Sequence, residues 1–164
     1  MRILPVIMWD TRMVTKKQRK TILEEMKYVD LGLPSGTLWA SDYIKKDGEV
    51  LFLPYRDAID EFSLPTYEQI AELKDYCEIS LVEDNGIKTY ICLGPSGKTV
   101  SFTPHGYQTP SENYDIDNAY FWTNDNDKLI ERSKRTAQIS SQGCLSNVII
   151  FSGYKNPIRT VRNT

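Results

Sequence analysis

The chain has 164 residues, 40% of them hydrophobic, with 10 Tyr, 5 Phe and 3 Trp, a length and composition that fit one globular domain and exclude a disordered polypeptide. A chain of this size buries about 70% of the surface its unfolded form exposes, so it folds without a metal or disulfide staple. Cys77, Cys92 and Cys144 show no CxxC spacing and His105 is the one histidine, which excludes a disulfide framework and a His-rich metal centre, and no run reaches the ~18 apolar residues of a membrane span.

The net charge of −2 is unevenly spread: residues 1–27 carry seven Lys or Arg against Asp10, Glu24 and Glu25, giving +4 and leaving −6 for the rest. A basic arm on an acidic body suits contact with an acidic partner, although a solvated helix face has the same composition. The opening MRILPVIMWD is too short and too poorly flanked for a secretory signal, so the chain is expected to stay in the cytoplasm that makes it. Residues 1–14 read as an extended arm with one short strand. Thr15 to Lys27 reads as a helix that Thr15 caps, with Ile22, Leu23 and Met26 as a narrow apolar stripe.

YVDLGLPSGTLWA, Tyr28 to Ala40, reads as a hairpin of two short strands about a Pro34-Ser35-Gly36 turn. A second turn at Lys45-Lys46-Asp47-Gly48 precedes an apolar run, Val50 to Leu53. In SLPTYEQIAELKDYC, Thr66 and Gln69 have capping-box spacing while Ile70, Leu73 and Cys77 recur at helical intervals, which predicts a helix over 66–77. Asp84-Asn85-Gly86 is a hairpin signal leading into the β-rich run 87–93. A further β-rich run follows at 99–103, then a long polar loop over 104–118 and strands at 119–124, 135–140, 146–152 and 157–162. Hairpins in place of βαβ crossovers predict an α+β fold, with two or three helices around a twisted, mainly antiparallel sheet of short strands and a loop-rich half.

GPSGKT, Gly94 to Thr99, resembles a phosphate loop only at first sight. That loop needs four residues between its glycines and a helix after them. Here Gly94 and Gly97 are three apart, Cys92 stands where the first glycine belongs, and Val100-Ser101-Phe102 reads as a strand. The string therefore predicts a turn between antiparallel strands, with Pro95 at the first corner and Gly97 at positive φ, and no nucleotide is expected.

The order of YVDLGLPSGTLWA, LPTYEQIAELKDYC, NGIKTYICLGPSGKTVSFTPHGY, AYFWTN and PIRTVR resembles the Fibrobacter succinogenes major paralogous domain, found in Bacteroidota and their phages. The resemblance spans about residues 28–163. It divides the chain into a basic arm with a short helix, 1–27, and a domain, 28–164. It implies a C-type-lectin-like fold, mostly used for binding, whose loop surface near the C-terminus contacts the target. The chain departs from the pattern after Ala40, where Ser41-Asp42-Tyr43-Ile44 replaces the usual continuation, and at Phe121-Trp122-Thr123-Asn124, which replaces YWSS.

The expected contact surface is the polar and aromatic segment holding Tyr107, Tyr114, Asp115, Asp117, Trp122, Asn124, Asp125, Asn126 and Asp127. Tyr contributes contact area at small entropic cost, and Asn and Asp hydrogen-bond adaptably. The same carboxylates and amides are hard oxygen donors of the kind calcium takes, but the EF-hand register is absent, so neither a metal nor a cofactor is expected. Trp39 reads as core. Arg12, Lys16, Lys17, Arg19 and Lys20 form the expected attachment arm. A Cys144–His105 pair lacks a third orienting residue, and no catalytic set is assigned. These features point to a non-enzymatic recognition or assembly module. The expected setting is a phage virion, made in the host cytoplasm, as a capsid decoration, head-fibre or tail protein. Other virion subunits would meet its N-terminal arm and a surface glycan or protein would meet its body. A bacterial cell-surface or secreted binding module is the alternative, and an enzyme a distant third.

Overall fold

A computed structural model describes residues 14–125 and 132–163. Arg12, Asn126 and Asp127 lie outside the described residues. The chain begins with α1 (Lys16–Glu25), and Thr15 and Gln18 close a reciprocal capping box on it. Then follow β1 (Tyr28–Asp30), β2 (Leu38–Ala40), β3 (Lys45–Lys46), β4 (Glu49–Val50) and β5 (Phe52–Leu53). Two helices come next, α2 (Tyr55–Glu61) and α3 (Tyr67–Tyr76). The Thr66–Gln69 capping box starts α3, and Ile70 and Leu73 are its buried positions.

In the second half every element among the described residues is a strand: β6 (Glu78–Asp84), β7 (Ile87–Leu93), β8 (Thr99–Phe102), β9 (Tyr107–Gln108), β10 (Asn113–Tyr114), β11 (Ala119–Trp122), β12 (Ser133–Ile139), β13 (Leu145–Phe151), β14 (Asn156–Pro157) and β15 (Val161–Arg162). The fold is α+β with three helices and antiparallel sheets among the described residues. The strands do not form one twisted sheet. Among the described residues they form three three-stranded sheets, β1-β2-β15, β6-β7-β8 and β11-β12-β13, and three two-stranded ones, β3-β4, β5-β14 and β9-β10.

The two-residue turn Asn85-Gly86 joins β6 to β7, with Asp84 facing Ile87 and both turn residues at positive φ, 52° and 80°. Its sequence signal is therefore met by the type of turn that matches strand twist. GPSGK joins β7 to β8, and Gly97 sits at φ 87°. Its amides are all committed: Gly94 N–H donates to Lys98 O, Ser96 N–H to Leu31 O and Gly97 N–H to Gly94 O, while Lys98 N–H donates to Ser96 Oγ. None is left to cradle an anion.

Alternation along β11 explains how the core divides. All four of its residues are buried. Ala119 and Phe121 face one cluster with Leu31, Trp39, Tyr90 and Phe102. Tyr120 and Trp122 face a second cluster with Ile44, Leu53, Tyr55, Phe62 and Ile158. A strand covered on both sides reads as an unbroken apolar run, as AYFW does. Trp39 packs edge-on against Phe102 at 6.5 Å and Phe121 at 6.1 Å, and those two rings stack at 5.3 Å.

The C-terminal segment returns to the start of the domain. Val161 pairs with Trp39 and Arg162 with Leu38, so β15 lies on the free side of β2. Ile158, Arg159 and Thr160 are fully buried on the way. Helix α1 lies against the body rather than projecting from it: Ile22 and Met26 pack on the second cluster, and Arg19 Nη1 meets Glu61 Oε2 at 3.2 Å.

Candidate functional site

The segment read as a plain loop, 104–118, contains a short ladder. In it Tyr114 of β10 faces Tyr107 of β9. Directly opposed residues on one face bring their rings together, and here the two stack at 5.9 Å with planes 25° apart. Tyr154 stacks on Tyr107 as well, at 5.9 Å and 19°. Phe151 then meets Tyr154 edge-on at 5.2 Å. The result is a ribbon of four rings in the order Tyr114, Tyr107, Tyr154, Phe151. Its ends are the open parts, Tyr114 at 44% and Phe151 at 46% exposure.

Main-chain bonds fix the ribbon. Gln108 and Lys155 exchange N–H···O bonds of 2.8 and 2.9 Å, which tie the Tyr154 turn to β9. Below it, the buried Tyr120 ring packs edge-on against Tyr107 at 5.1 Å. The Tyr120 hydroxyl donates to Asp115 Oδ2 at 2.7 Å and accepts from Gln138 Nε2 at 2.7 Å. Burial, together with the bond to Asp115, pushes the Tyr120 phenol up to about 12. Burial followed by the Asp115 charge raises Tyr107, and the bond and charge of Glu112 raise Tyr114. All three hydroxyls therefore stay protonated at neutral pH and remain able to donate.

The expected contact residues separate into three groups. Tyr107 and Tyr114 belong to the ribbon. Asp115 and Asp117 are exposed but shape the loop: Asp115 sits at φ 50° and holds Tyr120, and the Asp117 carbonyl accepts from Tyr90 Oη at 3.2 Å. Trp122 and Asp125 are not on a surface at all. Trp122 is fully buried, and its indole N–H donates to Leu53 O at 2.7 Å. Asp125 is 4% exposed, its Oδ2 accepts from Arg135 N–H at 2.8 Å, and its main chain exchanges bonds with Tyr55 Oη. Asn124 N–H donates to Pro65 O at 2.7 Å in a bridge to the start of α3. The Trp122 and Asp125 side chains belong to the packing between β11, α2 and β12, while Asn124 is half-buried beside the start of α3. No group of three or more His, Cys, Asp or Glu side chains that could hold a metal occurs among the described residues.

On α1, Lys16, Lys17 and Lys20 are exposed, whereas Arg19 is committed to Glu61 and Lys20 lies 3.9 Å from Glu24. His105 Nε2 bonds Thr103 Oγ1 at 2.8 Å and its ring meets Tyr43 edge-on at 5.7 Å. Burial, followed by the nearby Lys45 charge, holds its pKa below the ordinary 6.5, with Asp42 opposing. A depressed basic group favours the folded state in its neutral form. Its contribution is therefore present above the unfolded value and is lost as pH falls through the folded one. A proton titration of this one imidazole by NMR is expected to give a midpoint below 6.5, and a midpoint at or above that value would contradict the burial seen here.

Sequence reasoning missed Tyr154 and Phe151. Both lie in or next to a run read as strand, and only the Gln108–Lys155 bridge brings them to Tyr107. No family model, curated protein or solved structure matches this chain.

Proposed function

We propose that this chain is a non-enzymatic recognition or assembly module of C-type-lectin-like architecture, displayed as part of a phage particle. The observation that carries recognition is the aromatic ribbon, a rigid, partly open set of rings on a short ladder. Tyr rings held in place by their neighbours lose little freedom on binding, which is how recognition surfaces gain affinity at low cost. The lectin-like architecture is supported by the pairing of first and last strands of the domain and by a second half made of short ladders and loops. The virion setting is the expectation from the sequence, whose resemblance is to a family of Bacteroidota and their phages, and a bacterial surface or secreted binding module is the alternative.

Two substitutions test the reading together. Tyr114→Ala is expected to leave the thermal midpoint nearly unchanged while weakening attachment, to purified particles or host cells in co-sedimentation, by about tenfold or more. Asp125→Ala is expected to do the reverse, lowering stability by about 2 kcal/mol because the half-buried Arg135 N–H loses the acceptor that the buried carboxylate supplies. Unaltered attachment in Tyr114→Ala would remove the ribbon as the contact surface. The virion setting is tested separately, by mass spectrometry of purified particles.

A further inference from the structure

Phe151, one open end of the ribbon, also lines a cleft of about 820 Å³ between the start of α2, the start of β12 and the end of β13. Three cations line the same cleft, Arg56, Arg132 and Lys134, and no acidic side chain does so among the described residues. Arg56 and Arg132 are exposed and take part in no ion pair among those residues. Lys134 Nζ lies 5.4 Å from the centre of the Tyr55 ring. In a chain of net charge −2, three cations around one hollow are a local concentration of positive potential, and a concave wall focuses it.

We propose that this cleft binds an acidic saccharide, a sugar ring bearing a carboxylate or phosphate. The inference rests on reading the chain as a recognition module, and is independent of which particle carries it. The guanidinium groups of Arg56 and Arg132 supply paired donors that match the two oxygens of a carboxylate or phosphate. Phe151 supplies one open apolar ring for the carbohydrate face, and the volume lies within the range of small-ligand sites. Single-stranded nucleic acid would also seek cations and rings, but it needs successive open platforms for its bases. Here the rings spend their faces on one another: Tyr107 is stacked by both Tyr114 and Tyr154, and Lys134 lies against Tyr55.

The experiment is a calorimetric titration of the purified full chain with four probes. These are a galacturonate oligomer, a sugar phosphate, a neutral galactose oligomer of the same length and a single-stranded oligonucleotide. Binding of the uronate, the phosphate or both is expected, each weakening as salt screens the charges. The neutral oligomer and the oligonucleotide are expected to bind at least about tenfold more weakly, and Arg132→Ala and Arg56→Gln each to cost the acidic probes about tenfold. Both arginines are exposed, so a retained thermal midpoint certifies folding in at least one variant. Absent or equal binding of the acidic and neutral probes, preference for the oligonucleotide, or indifference to both arginine variants would overturn the proposal. Tyr114→Ala separates the two levels: attachment that still depends on Tyr114 while acidic sugars fail to bind defeats the cleft and leaves the recognition reading intact.

Discussion

Replacing Arg159 with alanine is expected to lower stability by about 4 kcal/mol, which for a domain of this size moves the thermal midpoint down by roughly 10 °C. The side chain is fully buried. Its Nη1 donates to Ala40 O at 3.0 Å and its Nη2 to Ser101 O at 2.6 Å. The guanidinium lies 4.4 Å from the Tyr43 ring centre and 4.1 Å from that of Phe102. One side chain thus ties the C-terminal segment to β2 and to β8. Burial lowers its pKa to about 10, with Tyr43 and then Asp42 opposing the shift, so it remains charged at neutral pH. Alanine would remove a charged donor from each of two carbonyls and open a hole between two rings, losses that add. Methionine keeps most of the stem volume and removes the desolvated charge, so Arg159→Met is expected to cost about half as much. Lysine keeps the charge but lacks the fork that reaches two carbonyls at once. Differential scanning calorimetry of the three variants checks the order, and an alanine variant within about 2 °C of the parent would show that the guanidinium bonds are not holding these elements together.

The second large effect is expected at Gly94. A Cβ there would collide with the carbonyl oxygen of Leu31, and would lie 2.6 Å from the Leu31 Cβ. Leu31 is fully buried in the first cluster and cannot retreat without disturbing it. The two segments are also bonded to each other, Ser96 N–H to Leu31 O at 2.9 Å and Ser96 Oγ–H to Asp30 O at 2.8 Å. Gly94→Ala is therefore expected to cost about 3 kcal/mol or more. Gly97, three residues on, is the control: its Cβ would meet open space, and only its φ of 87° opposes a side chain. That conformational cost is about 1–2 kcal/mol. Chemical denaturation of both variants separates contact from conformation. Equal losses at the two positions would mean that the approach to Leu31 is relieved by a small shift.

The parts of the fold that could be read in the sequence are those decided within a few residues. Both capping boxes close within three residues, so Thr15 and Thr66 each announced a helix. Asp84-Asn85-Gly86 announced its hairpin because the backbone conformation of the turn limits which residues can occupy it. Helix α2 was not legible: it has seven residues, follows Pro54 and has no side-chain cap bond, and Ala58 packing does what local signals do elsewhere. Strand β6 escaped because six of its seven residues are exposed and its pattern alternates little.

The site was legible only in part, for a related reason. Tyr107 and Tyr114 share a ladder six residues deep in sequence, but Phe151 and Tyr154 reach them from some forty residues away. Asp125 looks like a solvated loop residue beside Asn124, and its burial comes from Tyr55 and Arg135, which the local sequence does not mention. The PIRTVR segment suggested a strand. Nothing nearby indicates that Arg159, unlike Arg162, is interior, because the two carbonyls it bonds belong to Ala40 and Ser101.

The pairing of β15 with β2 sets the timing of biosynthesis. Trp39, the largest ring of the first cluster, is covered on one side by Val161, which leaves the ribosome some 120 residues later. At roughly 5–20 residues per second, the early part of the chain waits several seconds for the piece that closes it. During that interval the free side of β2 presents unpaired amides and carbonyls beside an uncovered tryptophan, the kind of edge that other strands can capture. Folding of this domain is therefore expected to finish only once Val161 and Arg162 have been made, and a translation pause before Ile158 would lengthen the window in which a chaperone is needed.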